Sequence, residues 1–111
     1  MAVTYKTLVP SKQAESTQTV QYTASGTRAV IDKCTATNTS ASVVTISFNL
    51  IQSLGVAGDG NLITKQRSIY PSETYVFNEL SGHVLQDGDS ISTIASAPSS
   101  LTIRISGREI V

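Results

Sequence analysis

Leu85 to Glu109 reads L-Q-D-G-D-S-I-S-T-I-A-S-A-P-S-S-L-T-I-R-I-S-G-R-E, and the spacing of its apolar residues decides the fold class. After the turn Asp87-Gly88-Asp89, an alternating run sets Ile91, Thr93, Ala95 and Ala97 against Ser90, Ser92, Ile94 and Ser96. Pro98-Ser99-Ser100 follows, and then the cleanest strand of the chain, with Leu101, Ile103 and Ile105 on one face and Thr102, Arg104 and Ser106 on the other. Period-two alternation bounded by Gly, Pro, Asp and Ser clusters is the pattern of a β-hairpin with one buried face. The stretch predicts two paired strands, and a core that contains Leu101, Ile103 and Ile105.

Upstream, the same pattern recurs at short intervals. Thr17 to Ala24 alternates and closes at Ser25-Gly26. Arg28 to Thr37 follows, with Val30, Cys34 and Ala36 predicted on one face and Ile31, Lys33 and Thr35 on the other. Val43 to Ile51 sets Val44, Ile46, Phe48 and Leu50 against Val43, Thr45, Ser47 and Asn49, the best core strand of the first half. The stretch S-L-G-V-A-G-D-G-N, Ser53 to Asn61, has three glycines in nine residues and reads as a loop. Leu62 to Tyr70 and Glu73 to Leu80 return as strands, the second with Tyr75 and Phe77 opposite Val76 and Leu80. Residues 1–16, with Pro10 unable to donate to a ladder, read as an N-terminal arm carrying a possible edge strand, ordered against a neighbour. Residues 17–111 form the domain proper. Seven or eight short antiparallel strands with turn signals between them, and no sustained helical period, give an all-β, single-domain β-sandwich or small barrel.

The chain has 111 residues, enough for one core. Eight basic and eight acidic residues balance, and charged residues make up 14%, against about 25% in ordinary soluble domains. Neutralising a run of phosphates requires a surplus of Lys and Arg, so direct nucleic-acid binding is not expected. No run approaches the ~20 apolar residues of a membrane helix, and M-A-V-T-Y-K-T-L-V-P lacks the basic and apolar regions of a signal peptide. Cys34 is the sole cysteine and reads as a small buried hydrophobe, in a chain made in a reducing cytoplasm.

Residues with catalytic or ligand chemistry do not assemble into a known pattern. His83 is the sole histidine and no G-x-S-x-G elbow accompanies it, so no enzyme is expected. Asp87 with Asp89, and Asp59 with Asn61, stand in ordinary turn sequences without a calcium-loop continuation, and no metal or cofactor is expected. Gly55, Gly58 and Gly60 lack the Lys-Ser/Thr of a phosphate cradle. Asn38-Thr39-Ser40 matches a glycosylation sequon, a motif common by chance. Tyr5, Tyr22, Tyr70 and Tyr75 read as core or interface residues.

The succession Leu85-x-Asp87-Gly88-Asp89-x-Ile91, Ala95-Ser96-Ala97 and Leu101 to Glu109 resembles the close of small virion proteins of tailed bacteriophages. With the polar turn at Asn38, the strand Val43 to Leu50, the Gly-rich insertion and the strand after Pro71, the chain from about Thr17 onward resembles the capsid decoration, staple or cement proteins of epsilon15-like short-tailed phages. The resemblance implies a β-sandwich of jelly-roll type that coats an icosahedral capsid as homodimers, made in the bacterial host cytoplasm and located on the outer surface of the virion. It implies binding to the major capsid protein, cross-linking of neighbouring subunits, and no enzymatic activity. Irregular or edge-like segments are the expected contacts: Val3, Tyr5, Leu8 and Pro10 on the arm, and Leu54, Val56, Asp59 and Asn61 on the Gly-rich loop. Two alternatives stand beside this reading. One is a virion-borne carbohydrate- or receptor-binding module, whose mark would be aromatics clustered at one end; the other is a head-tail joining protein, present in few copies rather than many.

Overall fold

The computed structural model describes residues 2–111. Nine strands and two short 3-10 turns run in the order β1 (Val3–Gln13), β2 (Thr19–Thr23), β3 (Arg28–Asn38), β4 (Val44–Ile51), a turn at Asp59–Asn61, β5 (Leu62–Ile69), β6 (Thr74–Val76), a turn at Asn78–Leu80, β7 (Val84–Leu85), β8 (Ser90–Ala95) and β9 (Leu101–Ile110). One sheet, here sheet A, has the order β1-β9-β3-β6, with β7 also on β3; sheet B has the order β2-β8-β4-β5. All pairings are antiparallel. With β6 and β7 as two pieces of one position, successive strands wrap between two four-stranded sheets, the jelly-roll form of the β-sandwich.

The stretch that predicted a hairpin is therefore not one. β8 lies between β2 and β4 in sheet B, whereas β9 lies between β1 and β3 in sheet A. The residues Pro98-Ser99-Ser100 carry the chain across the sandwich, with Ser99 at φ 54°. Ladder partners on both sides suit two strands whose inner faces are apolar and whose edges cannot be left open. The apolar pattern itself is correct: Leu101, Ile103, Ile105 and Ile91 are fully buried.

Bulges correct the predicted faces elsewhere. On β3, the register against β9 slips by one residue between Ile31 and Lys33, so that Ala29 and Ile31 share the core face with Cys34 and Ala36, while Val30 points outward with Lys33. The extra residue, Asp32, is held by a fork of bonds from Arg108 at 2.9 to 3.2 Å. Gly107 sits opposite, where an added Cβ would collide with the Val30 carbonyl oxygen. After β6, the predicted strand to Leu80 ends early; the 3-10 turn swings Leu80 inward and buries it.

The core closes between the sheets. Phe48 of β4 and Phe77 after β6 meet with ring centroids 4.8 Å apart, and Tyr75 packs edge-on against Phe77 at 4.7 Å. Arg67 lies over the outer face of Tyr75, 4.1 Å from its centroid, so the stack runs from core to solvent. Burial of Cys34 pushes its thiol well above the ordinary range, which leaves an inert apolar filler. The segment read as an arm lies along β9 as edge strand β1, with Leu8, Val9 and Ala14 in the core.

Candidate interaction surface

Sheet B covers the middle of its outer face with its own chain, while Val20 and Ser68 at its borders stay exposed. Ser47, Asn49, Ser90 and Ser92 project away from the core, yet all are buried. Asn49 is the anchor: its amide donates to the Gly58 carbonyl at 3.1 Å and to Asn61 Oδ1 at 2.6 Å, and its own oxygen accepts from Gln18. Gln18 also donates to Ser92 Oγ at 2.7 Å. Between these residues and Lys65 lies a shallow groove of about 190 Å³.

The Gly-rich loop is thus divided. Asn61, expected as a partner contact, is committed to this chain, since it also accepts from the Gly58 N–H and donates to the Val56 carbonyl. Leu54 and Val56 remain on the solvent side, fully and 81% exposed, and Asp59 is exposed beside them. Near the loop, three connections are tied by two carboxylates. Asp87 accepts from the Gly26 N–H at 2.8 Å, and Asp89 accepts from the N–H groups of Ser53 and Gln86 at 3.0 and 2.9 Å. Gly88 makes the turn at φ +93°, with Ser53 packed where a side chain would stand.

Among the described residues, none lies over the outer face of sheet A. Across its middle run Thr102, Arg104 and Ser106 of β9 beside Lys33, Thr35 and Thr37 of β3. At one end, cross-strand register aligns Val84, Val30, Arg108 and Tyr5 in a row, with Ile110 between Val3 and Arg28 in the next. None of these side chains is buried; Tyr5 is 81% exposed. Arg28, Lys33, Arg104 and Arg108 face out against a single carboxylate, Asp32. The Arg104 guanidinium reaches only hydroxyls, Ser11 and Thr7 at 3.4 Å.

β1 borders that face as a free edge. Ala2 and Val111 exchange two backbone hydrogen bonds at 3.0 Å, and the register is regular from Val3 to Thr7. Alternation then assigns the N–H and C=O of Thr4 and Lys6 to β9, and turns those of Val3, Tyr5 and Thr7 outward. Beyond Thr7, slips in register and Pro10 break the pattern. Of the expected contacts on this segment, Val3, Tyr5 and Pro10 are exposed. Leu8 is 5% exposed and belongs to the core, because the bulge turns it inward beside Val9.

Where the same end meets sheet B, Tyr22 donates its hydroxyl to Glu109, which also takes Lys6 at 3.3 Å. Burial and the carboxylate push the Tyr22 hydroxyl well up, and the Tyr22 bond, with Lys6, holds Glu109 below the usual carboxylate range. The tyrosines do not gather. Tyr22 and Tyr75 pack against the core, while Tyr5 aligns with Val30 and Tyr70 lies beside Asn38 across the turn, at opposite ends of β3 and roughly 25 Å apart at about 3.3 Å per residue. The Asn38 amide is 1% exposed and donates to the carbonyls of Ser42 and Ile69, both at 2.8 Å, so the sequon asparagine serves as an internal turn brace.

The outer face of sheet A escaped the reading of the sequence. Its signal was present, since Thr102, Arg104, Ser106 and Arg108 are the other half of the alternation that identified the core; only the assembly of β3, β9 and β1 side by side brings the cations together.

No protein-family model matches the chain, and no curated protein is similar to it. Among solved structures, a chain in the structure of infectious bursal disease virus, Gx strain, shares the fold with a TM-score of 0.55 at 13% identity. The likeness covers 97% of this chain and 31% of that one, so the present chain spans about a third of the length of the neighbour it matches.

Proposed function

We propose that this chain is a non-enzymatic virion structural protein, which binds the outer surface of an assembled icosahedral capsid and ties neighbouring subunits together, as a decoration protein of short-tailed phages does. The observation that carries the reading is the outer face of sheet A, open among the described residues and bordered by the free edge of β1. Its fold likeness to a chain of a virus structure supports the same class. Such a protein requires a rigid spacer and contacts rather than a reaction centre. Each copy touches subunits that are already tethered, so weak contacts act at high effective concentration. Binding the assembled shell alone stabilises it by about 2.7 kcal/mol per site at a hundredfold excess over Kd.

Homodimerisation, in this reading, uses the edge residues Val3, Tyr5 and Thr7. Two copies related by a twofold axis through Tyr5 pair Val3 with Thr7 of the other copy, and Lys6 faces Thr4 rather than a second lysine. Tyr5→Pro tests it, because the N–H it removes is unused within the chain, whereas Lys6→Pro removes a ladder bond and serves as the folding control. Sedimentation should give a dimer for the natural chain and a monomer for Tyr5→Pro; equal association of both would refute the pairing. For the function itself, shells assembled without this protein should gain heat resistance on its addition, and unchanged resistance with no bound protein would refute it.

A further inference from the structure

We infer that the outer face of sheet A is the docking face, and that its partner is an acidic protein surface with apolar ground between its carboxylates. This rests on the capsid-binding reading and names the chemistry of the surface bound. The first ground is charge. The whole chain is neutral, yet this face carries Arg28, Lys33, Arg104 and Arg108 against Asp32, and among the described residues only Arg108 of the four has a carboxylate partner. The other seven acids are engaged or placed elsewhere: Glu15 with Lys12, Glu109 with Tyr22, Glu79 with Thr64, Glu73, Asp87 and Asp89 on backbone N–H groups, and Asp59 in the Gly-rich loop. Neutrality is thus kept by segregation, which sets Arg28, Lys33 and Arg104 on this face without a carboxylate partner among the described residues.

The second ground is the mixture. Val84, Val30 and Tyr5 share a cross-strand row with Arg108, and Ile110 lies between Val3 and Arg28 in the next; such apolar groups find nothing to bury against a phosphate backbone. A protein surface offers both complements. Size fits as well. Three strands of ten or eleven residues, with the short β6 and β7 sharing the fourth position, at a spacing of about 4.8 Å and a rise of about 3.3 Å per residue, give a face of roughly 550 Å². That is below the ~800 Å² per partner of a standard stable interface, and twofold pairing through β1 would set two such faces side by side on one flank.

The experiment uses the full-length protein and shells of its own virus assembled without it, with bound protein measured by cosedimentation. The variant is Arg104→Glu with Lys33→Glu; Arg104→Gln with Lys33→Gln is the neutral version, and Lys65→Glu, on sheet B, is the control. Unchanged melting of each variant establishes folding. Reversal should weaken binding by about tenfold or more, the neutral pair by less, and salt should weaken the natural protein most, because screening shortens from about 10 Å at 0.1 M to about 3 Å at 1 M. Full binding by the reversed variant, with the natural protein still bound, would overturn the docking face while leaving capsid binding intact. Failure of the natural protein to bind shells would overturn both. Binding to duplex DNA that the reversal abolishes would assign the face to nucleic acid and overturn the acidic protein partner.

Discussion

The two outer faces of the sandwich are built from similar residues and end in opposite states. On sheet B, Asn49 and Ser92 are covered by Gln18 and the Gly-rich loop, Ser47 accepts from the Gln66 N–H, and hydrogen bonds within the chain satisfy all three. On sheet A, Thr35, Ser106 and Arg104 face outward with no covering segment among the described residues. A small polar side chain under a loop is a structural commitment, because exposing or orphaning it costs free energy. A threonine or arginine on an open sheet costs little either way, and is free to meet a partner. The difference separates what the protein uses to hold itself from what it presents.

Substitutions should therefore divide sharply between the faces and the core they share. Phe77→Ala removes the ring that bridges the sheets between Phe48 and Tyr75, and should cost about 3 to 5 kcal/mol by denaturant unfolding. Asn49→Ala should cost about 2 to 3 kcal/mol, since it orphans the groups of Gln18, Gly58 and Asn61, and amide exchange should accelerate through residues 55–61. An unchanged loop would mean that the closed face is not held by Asn49.

Tyr22→Phe should cost about 1 to 2 kcal/mol near neutral pH, through the bond to Glu109. Its pH dependence has a definite sign. Glu109 is held below its ordinary value, so its contribution is present above the unfolded carboxylate pKa and is lost as pH falls through the lower folded value. The gap between natural chain and variant should close in acid. A constant gap would place the effect in packing rather than in the carboxylate. Smallest of all, Arg104→Ala should change stability by no more than about 0.5 kcal/mol, since its contacts are exposed hydroxyls at 3.4 Å. A loss as large as that of Asn49→Ala would erase the distinction between the faces.

The fold was legible because alternation reports burial directly: Leu101, Ile103, Ile105, Val44, Ile46 and Phe48 are all buried as predicted. Pairing was not legible to the same degree. Nothing local tells whether the chain at Pro98-Ser99-Ser100 doubles back or crosses to the other sheet, so the alternation that predicts a hairpin belongs here to a crossover. Bulges are equally silent: the extra residue at Asp32 exchanges the faces of Val30 and Ile31 relative to Cys34 and Ala36, and the one at Leu8 turns that side chain inward. The contact residues divided by the same physics. Tyr5, Val56 and Leu54 are exposed, but the bulge draws Leu8 inward and the amide of Asn61 is spent on the loop itself. Charge segregation onto one face arises from strands distant in sequence, which no window of the chain contains.

An image reconstruction of the virus particle that contains this chain tests the central claim most directly. Density for the jelly roll should cover the exterior in the symmetry of the capsid, with Arg104 and Lys33 against the shell and Leu54 away from it. A ring confined to one vertex, or a particle with no such density on its exterior, would contradict it.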